Sequence, residues 1–495
     1  MRRLLPLARQ FSGATSKKWH VAIVGSGPAG FYTADHLLKH NPDVQVDIYE
    51  RLPVPFGLVR YGVAPDHQDV KNVTDRFQQI ASDPRCELFC NVRIGDMNDS
   101  NGSAASVPLA DLCAQYQAVV LAYGADADRK LGLPGEDLRG VHAAREFVEW
   151  YNGHPEAAER GGFDLRGCET AVLIGHGNVA LDCARMLCST PDQLRGATDV
   201  AEHAAAALAE SDVRQVVLAG RRGVLHAAFT IKELRELSKR AGSTLSVVAP
   251  MAAFEETVMQ AAAKDRPRKR LTELLGTMHA PDLDTADPLP PPPADAEAAP
   301  RAIRVQFQRV PVGFVGDASG GLEAVQLSRT ALEGPASAQQ AATAVPGSEY
   351  DLPCGLALRA VGYRSSPMEG APFDSRQGIV PTTPGGRVDG SDGLYAAGWL
   401  KRGPSGVILT NVSDAAETAM SVLADHAAGK LGAAAAGGGG GGPAIRAILD
   451  EQTAPVLGFQ AWMRIDALEK ERGAAMGKVR EKLVSIDEML NTGSR

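Results

Sequence analysis

Residues 174–185 read IGHGNVALDCAR, and residues 21–34 read VAIVGSGPAGFYTA. Each is an apolar strand that runs into a glycine turn and then into a helix-forming stretch, and the pairing of the two decides the fold. In the earlier one, Gly25, Gly27 and Gly30 keep G-x-G-x-x-G spacing. The first glycine permits the tight turn, the second lets a pyrophosphate approach the backbone, and the third lets helix pack on strand. The helix start then offers free N–H groups and partial positive charge to the phosphates. In the later one, Gly175, Gly177 and Ala180 repeat the spacing with alanine third, which the fingerprint tolerates. Two such cradles imply two nucleotides held at once, and so a device that passes electrons between them.

The flanks say which nucleotides. The strand VQVDIYE ends in Glu50, twenty residues beyond Gly30, where a carboxylate binds an adenosine ribose. The following RLPVPFGLVRYGVAPDH is stiffened by Pro53, Pro55 and Pro65, while Gly57 and Gly62 let backbone approach a large flat ring, so this turn is expected to hold FAD. After the second turn, the strand VRQVVLAG ends not in an acid but in Arg221 and Arg222. Paired guanidiniums there grip a 2′-phosphate, which makes NADPH the expected nucleotide. The plainer alternatives are a glycine-rich loop with an exposed acid, and a solvated basic pair.

A chain of 495 residues exceeds one ordinary core. The expected class is α/β with two Rossmann-like dinucleotide-binding domains, the FAD domain discontinuous and completed by the C-terminal part. The expected bounds are 1–18 targeting peptide, 19–126 FAD-binding, 127–364 NADPH-binding and 365–495 FAD-binding again. After residue 350, CGLALRAVGY and GLYAAGW return to short apolar strands, and a helix is expected to open at Gly406, Val407 and Ile408 with its positive end toward the flavin. The segment 280–300 is too rich in Pro, Ala and Asp to bury much, and the hexaglycine 437–442 reads as a flexible linker.

A hydrophobic fraction of 44% and a net charge of -8 suit a globular protein and argue against nucleic acid as the main partner. No run approaches the roughly 18 apolar residues of a membrane span. The first eighteen residues carry Arg2, Arg3, Arg9, Lys17 and Lys18 and no acid, the composition of an organellar targeting peptide. Arg9-Gln-Phe-Ser12 resembles a mitochondrial processing site, so the mature chain is expected to start near Ser12. The seven cysteines form no C-x-x-C pair and no metal-ligand spacing, so no metal is expected. Cys183 and Cys188 form C-x4-C on one helix, where they read as buried thiols rather than a redox pair.

The motifs VGSGPAGFYTA, VPFGLVRYGVAPDH, GHGNVALD, GRRG, FTIKELRE and GWLKRGPSGVI, in this order, resemble the mitochondrial adrenodoxin reductases, ferredoxin–NADP reductases of the glutathione-reductase-like flavoproteins. The similarity runs from about residue 19 to the C-terminus. It implies FAD contacts at Ala29, Glu50, Leu58, Ile94, Trp399 and Gly406–Ile408, and NADPH contacts at His176, Gly177, Asn178, Val179, Arg221, Arg222, Glu233 and Gly406. Trp399 stands where flavoproteins of this kind generally carry an aspartate, and His176 where the family usually has glutamine, which leaves the nucleotide affinity and its pH dependence open. The resemblance further implies a mitochondrial matrix location and a [2Fe-2S] ferredoxin partner that feeds a cytochrome P450 or iron–sulfur assembly. A peripheral seat on the inner membrane stays open. NADPH gives two electrons together, an iron–sulfur acceptor takes one, and flavin does both. The basic run KDRPRKR, with Lys264, Arg266, Arg268, Lys269 and Arg270, is either the docking face for the acidic ferredoxin, as a similar run in the family implies, or a solvated helix start. His67 is either a flavin-side proton or hydrogen-bond residue or a plain loop histidine. The competing readings are a flavin-dependent NADPH disulfide reductase or monooxygenase, and a noncatalytic redox sensor.

Overall fold

The computed structural model describes residues 18–95, 104–240, 242–284, 287, 289, 290, 300–336, 338–431 and 439–495. The targeting peptide and its processing site lie outside these residues, apart from Lys18. The described chain builds two parallel sheets. In the first, the strands run Leu394–Ala396, Ala118–Leu121, Trp19–Val24, Val44–Glu50 and Cys86–Cys90 from edge to edge. In the second, the order is Ser243–Val248, Arg301–Phe307, Gln215–Gly220, Thr170–Ile174, Leu356–Arg359 and Val141–Ala143. Central parallel strands are covered on both faces and read as continuous apolar runs rather than alternating ones. Ala118–Leu121 and Thr170–Ile174 are buried at every position.

The first unit is discontinuous. Leu394–Ala396 pairs with Ala118–Leu121, and the helix Thr410–Ala427 packs along the helix Pro28–His40. Where the chain leaves the first unit, Ala127–Asp128 forms an antiparallel ribbon with Tyr363–Arg364, where it returns. The helix Phe459–Ala475 sets Trp462 edge-on to Phe56 at 5.2 Å, and its buried Glu469 accepts from Arg60 at 2.9 Å and Arg480 at 2.7 Å. The chain then crosses back to the second unit. There Lys482 meets Asp199 at 3.1 Å, and Lys71 of the first unit meets the same carboxylate at 2.6 Å.

Leu356–Arg359, from CGLALRAVGY, joins the second sheet between Thr170–Ile174 and Val141–Ala143, and Leu394–Ala396 returns to the first. Three expectations change. The C-terminal helix opens at Thr410, not Gly406, because Gly406 has φ +82 and the turn to Leu409 is closed by i+3 bonds from Thr410, Asn411 and Val412. Part of 280–300 is docked: Leu289 is buried, and Arg309 reaches the Asp284 and Asp287 carboxylates at 3.3 Å. The rest, 291–299, lies outside the described residues. Finally, the hexaglycine is not all linker, since Gly441–Asp450 is a helix whose first two residues are buried. An antiparallel sheet of Arg309–Gly316, Leu322–Glu333, Ala341–Ala344 and Tyr350–Pro353 had no counterpart in the sequence reading.

Candidate active site

The first glycine turn has the geometry its spacing demands. Gly25 sits at φ +110, and a Cβ there would lie 2.5 Å from the Ala122 carbonyl oxygen. A Cβ on Gly30 would overlap the Gly25 carbonyl oxygen. A Cβ on Gly27, at the helix N-cap, would meet nothing within 4 Å, so this face is open for a pyrophosphate. Glu50 is buried beside it: Leu52 N–H donates to Oε1 at 3.0 Å, and the Ser26 N–H (3.3 Å) and hydroxyl donate to Oε2. The proline-rich loop closes over the turn. Phe56 N–H donates to Ser26 O at 3.2 Å, with Phe56 held at φ +88, and Gly57 leads into the short helix Leu58–Tyr61. Buried Ile94 ends the strand Val92–Ile94. From the far end of the chain, Gly398 lies so close to Ala29 that a Cβ on it would be 2.5 Å from the alanine methyl. The Gly398 N–H donates to buried Asp414, which pairs with Lys401 at 3.0 Å. Trp399 turns toward the interdomain ribbon, 5.5 Å from Tyr363, and its Nε1–H donates to Ser405 O at 3.1 Å. Ile408 packs on the first core while Val407 is exposed.

The second turn repeats the design. Gly175 has φ +130 with the Ala360 carbonyl against it, Gly177 is open, and Ala180 is fully buried. Asn178 Oδ1 accepts from Thr230 N–H at 2.9 Å, and Val179 packs on the core. His176 does not offer its ring to a nucleotide. The ring is wedged under Gly220 and against Phe307 at 4.5 Å, with Nε2 at 3.1 Å from Leu218 O. Burial pushes its pKa down to about 4, so it stays neutral across the physiological range and adds no titration of its own to nucleotide binding there. Arg221 and Arg222 follow directly on the strand Gln215–Gly220, and Thr330 fixes the Arg221 carbonyl at 2.7 Å.

An ionic cluster is built from both units. His67 Nε2 is 2.9 Å from Glu236 and 3.8 Å from Glu233, both on the helix Ile231–Ser238. Arg185, 2% exposed, holds Asp66 at 2.7 Å, Asp182 at 2.6 Å and Glu233 at 3.5 Å. Burial raises the pKa of Asp182, and burial with the nearby Asp182 charge raises that of Glu233, whereas Arg185 overcomes burial to hold Asp66 low. Ligand atoms of His67, Asp182 and Glu233 lie within 4.8 Å of one another, the spacing of a metal site. Arg185 already supplies the positive charge to both carboxylates. Sequence reasoning missed Ser26, Asp66, Asp182, Arg185 and Asp414. Only the i,i+3 spacing of Asp182 and Arg185 was visible beforehand.

The family described as "Pyridine nucleotide-disulphide oxidoreductase" matches residues 19–219. The chain is 45% identical over 481 residues to the mitochondrial NADPH:adrenodoxin oxidoreductase of Salvelinus fontinalis, across 95% of this chain and 90% of the relative. It is 46% identical to that of Homo sapiens, across 95% and 91%. The chain belongs to the NADPH:adrenodoxin oxidoreductase family. Among solved structures, Mycobacterium tuberculosis FprA in complex with NADPH matches with a TM-score of 0.83 at 36% identity, over 97% of this chain and 100% of that one.

Two further features can be placed in this adrenodoxin oxidoreductase fold. The basic run opens the helix Arg266–Gly276 on the second unit, with Lys264, Arg266, Lys269 and Arg270 exposed. Lys269 pairs with Glu273 at 3.8 Å. All seven cysteines are free, and burial pushes the Cys183 and Cys188 thiols far above the ordinary range. Among the described residues, no helix is long and apolar enough to cross a membrane.

Proposed function

We propose that this chain is the NADPH-dependent, FAD-containing reductase of a [2Fe-2S] ferredoxin, with electrons passed on to a cytochrome P450 or to iron–sulfur assembly. The observation that carries the reading is the pair of open cradles, Gly27 beside buried Glu50 and Gly177 after the strand whose neighbour in the sheet leads into Arg221 and Arg222. Bound FAD supplies the conversion between a two-electron hydride and single electrons. On this reading, residues 19–126 and 365–495 bind FAD and 127–364 bind NADPH.

The chain's own residues bind, orient and shield. The helix that starts at Pro28 and the one that starts at Asn178 direct free N–H groups at the two pyrophosphates. Glu50 takes the FAD ribose. Leu58, Ile94, Ala29, Trp399 and Gly406–Ile408 flank the FAD, and Asn178, Val179 and the backbone of His176 flank NADPH. At the domain junction, burial and the nearby Asp182 charge raise the pKa of Glu233, whose carboxylate lies 3.8 Å from His67 Nε2, which makes it a carboxyl suited to holding a proton at Oε2. The exposed cations of the helix Arg266–Gly276 meet the acidic ferredoxin, which speeds encounter and weakens with salt.

The relatives' mitochondrial names and the basic N-terminal segment support a mitochondrial location, and we place the chain in the matrix, at most peripheral to the inner membrane. Stopped-flow mixing tests the reading: NADPH should bleach the flavin, and ferredoxin should reoxidise it much faster than oxygen does. Fast reoxidation by oxygen with a bound organic substrate would indicate a monooxygenase, and no bleaching would indicate a sensor. The disulfide reductase alternative is disfavoured by the burial of Cys183 and Cys188.

A further inference from the structure

The five cations of KDRPRKR do not share one task. We infer that Arg268 is a third arginine of the 2′-phosphate site, a specificity residue for NADPH that rests on the reading of Arg221 and Arg222 above, while its neighbours on the helix serve the protein partner.

Helix geometry separates them. Leu271, Thr272 and Leu275 form the buried face of the helix Arg266–Gly276. Arg268 lies three, four and seven residues before them and so continues that face toward the N-terminus. Arg266, Lys269 and Arg270 point elsewhere and are exposed, whereas Arg268 is half-buried. The inward face packs on the short turn Val224–His226, which follows Arg222 after a single glycine. Val224, Leu271 and Leu275 belong to one core. His226 marks the meeting point. Its Nε2 is 2.8 Å from Ala338 O, and Arg268 and Arg222 both act on the ring, adding to the lowering that burial causes.

Among the described residues, no carboxylate lies within 4.0 Å of Arg221, Arg222 or Arg268. Guanidiniums gathered without a counter-charge repel one another, and an anion bound among them relieves that repulsion. A phosphate monoester brings nearly two negative charges and three acceptor oxygens, which a third guanidinium helps to satisfy. The site therefore takes a ribose 2′-phosphate, and its adenosine part need not touch Arg268.

The test uses the FAD-loaded full chain and calorimetric binding of 2′,5′-ADP and 5′-AMP. Arg268→Gln should weaken 2′,5′-ADP about tenfold, leave 5′-AMP and thermal stability unchanged, and leave the KM for ferredoxin unchanged. Arg268→Lys, which keeps the charge, should lose less. Arg270→Gln should do the reverse, raising the KM for ferredoxin and sparing 2′,5′-ADP. An Arg268→Gln protein with 2′,5′-ADP affinity within twofold of the parent, or with 5′-AMP weakened equally, overturns the inference. If Arg221→Ala is equally silent, the 2′-phosphate reading itself has failed. If only Arg268 is silent, that reading stands without it.

Discussion

Gly27→Ala and Gly30→Ala, three residues apart, should have opposite effects. At Gly27 the backbone angles, φ -78 and ψ -175, suit any residue, and the added methyl meets no protein atom within 4 Å. Restricting the unfolded chain stabilises by roughly 0.4–1 kcal/mol, and alanine is a poorer cap than glycine by a similar amount. The stability of the apoprotein should therefore stay within about 1 kcal/mol of the parent. The same methyl, however, fills the face offered to the pyrophosphate. Overpacking costs about 1–3 kcal/mol, or roughly five- to 150-fold in the Kd for FAD. At Gly30 the methyl would overlap the Gly25 carbonyl oxygen and lie 3.3 Å from Ile23 Cγ2. Backbone cannot yield there as a flexible side chain would, so the cost falls on the fold itself and should exceed about 3 kcal/mol. Thermal unfolding of the apoproteins and fluorescence titration with FAD, run in parallel, separate the two effects. The reasoning is refuted if Gly27→Ala keeps its FAD affinity within twofold, or if apo Gly30→Ala is as stable as the parent.

Four further outcomes follow from the geometry. Arg221→Ala with Arg222→Ala should lower the NADPH/NADH ratio of kcat/KM tenfold to a hundredfold, about 1.5–3 kcal/mol for a charged contact, with NADH use barely changed; an unchanged ratio removes the assignment. Arg266→Glu with Arg270→Glu should raise the KM for ferredoxin and flatten its salt dependence, while NADPH-driven ferricyanide reduction holds; equal loss of both activities would point to a damaged fold instead. His176 has a folded pKa of about 4 against 6.5 unfolded, so it is stabilising above pH 6.5 and loses that contribution as pH falls toward 4. His176→Gln should gain on the parent by on the order of 2 kcal/mol between pH 7 and pH 5 in denaturant unfolding, with the NADPH KM profile unaltered from pH 6 to 8. Thiol titration in denaturant should find seven thiols both before and after NADPH, and an increase on reduction would revive the disulfide reductase reading.

Both cradles were legible in the sequence because a glycine turn is a local demand. Gly25 at φ +110 and Gly175 at φ +130 need a residue without a Cβ whatever surrounds them, and the strand before and helix after each are read from a few neighbours. Arg221 and Arg222 were legible for the same reason: a strand's end places its next residues. The tertiary structure alone decided what depends on partners distant in sequence. Leu356–Arg359 is an apolar strand like any other, and only its pairing with Thr170–Ile174 on one side and Val141–Ala143 on the other fixes its place within the second sheet. Asp66 and Arg185 are ordinary charges until the units dock and bury them together at 2.7 Å. Where the His176 ring goes was likewise not legible, since only Gly220 and Phe307 closing over it bury it and keep it neutral. The hexaglycine shows the same divide within one motif. Composition marks it as a linker, yet a Cβ on Gly442 would stand 2.8 Å from the Asp47 carboxylate, so its last residues are glycine because a strand some four hundred positions earlier leaves no room for more.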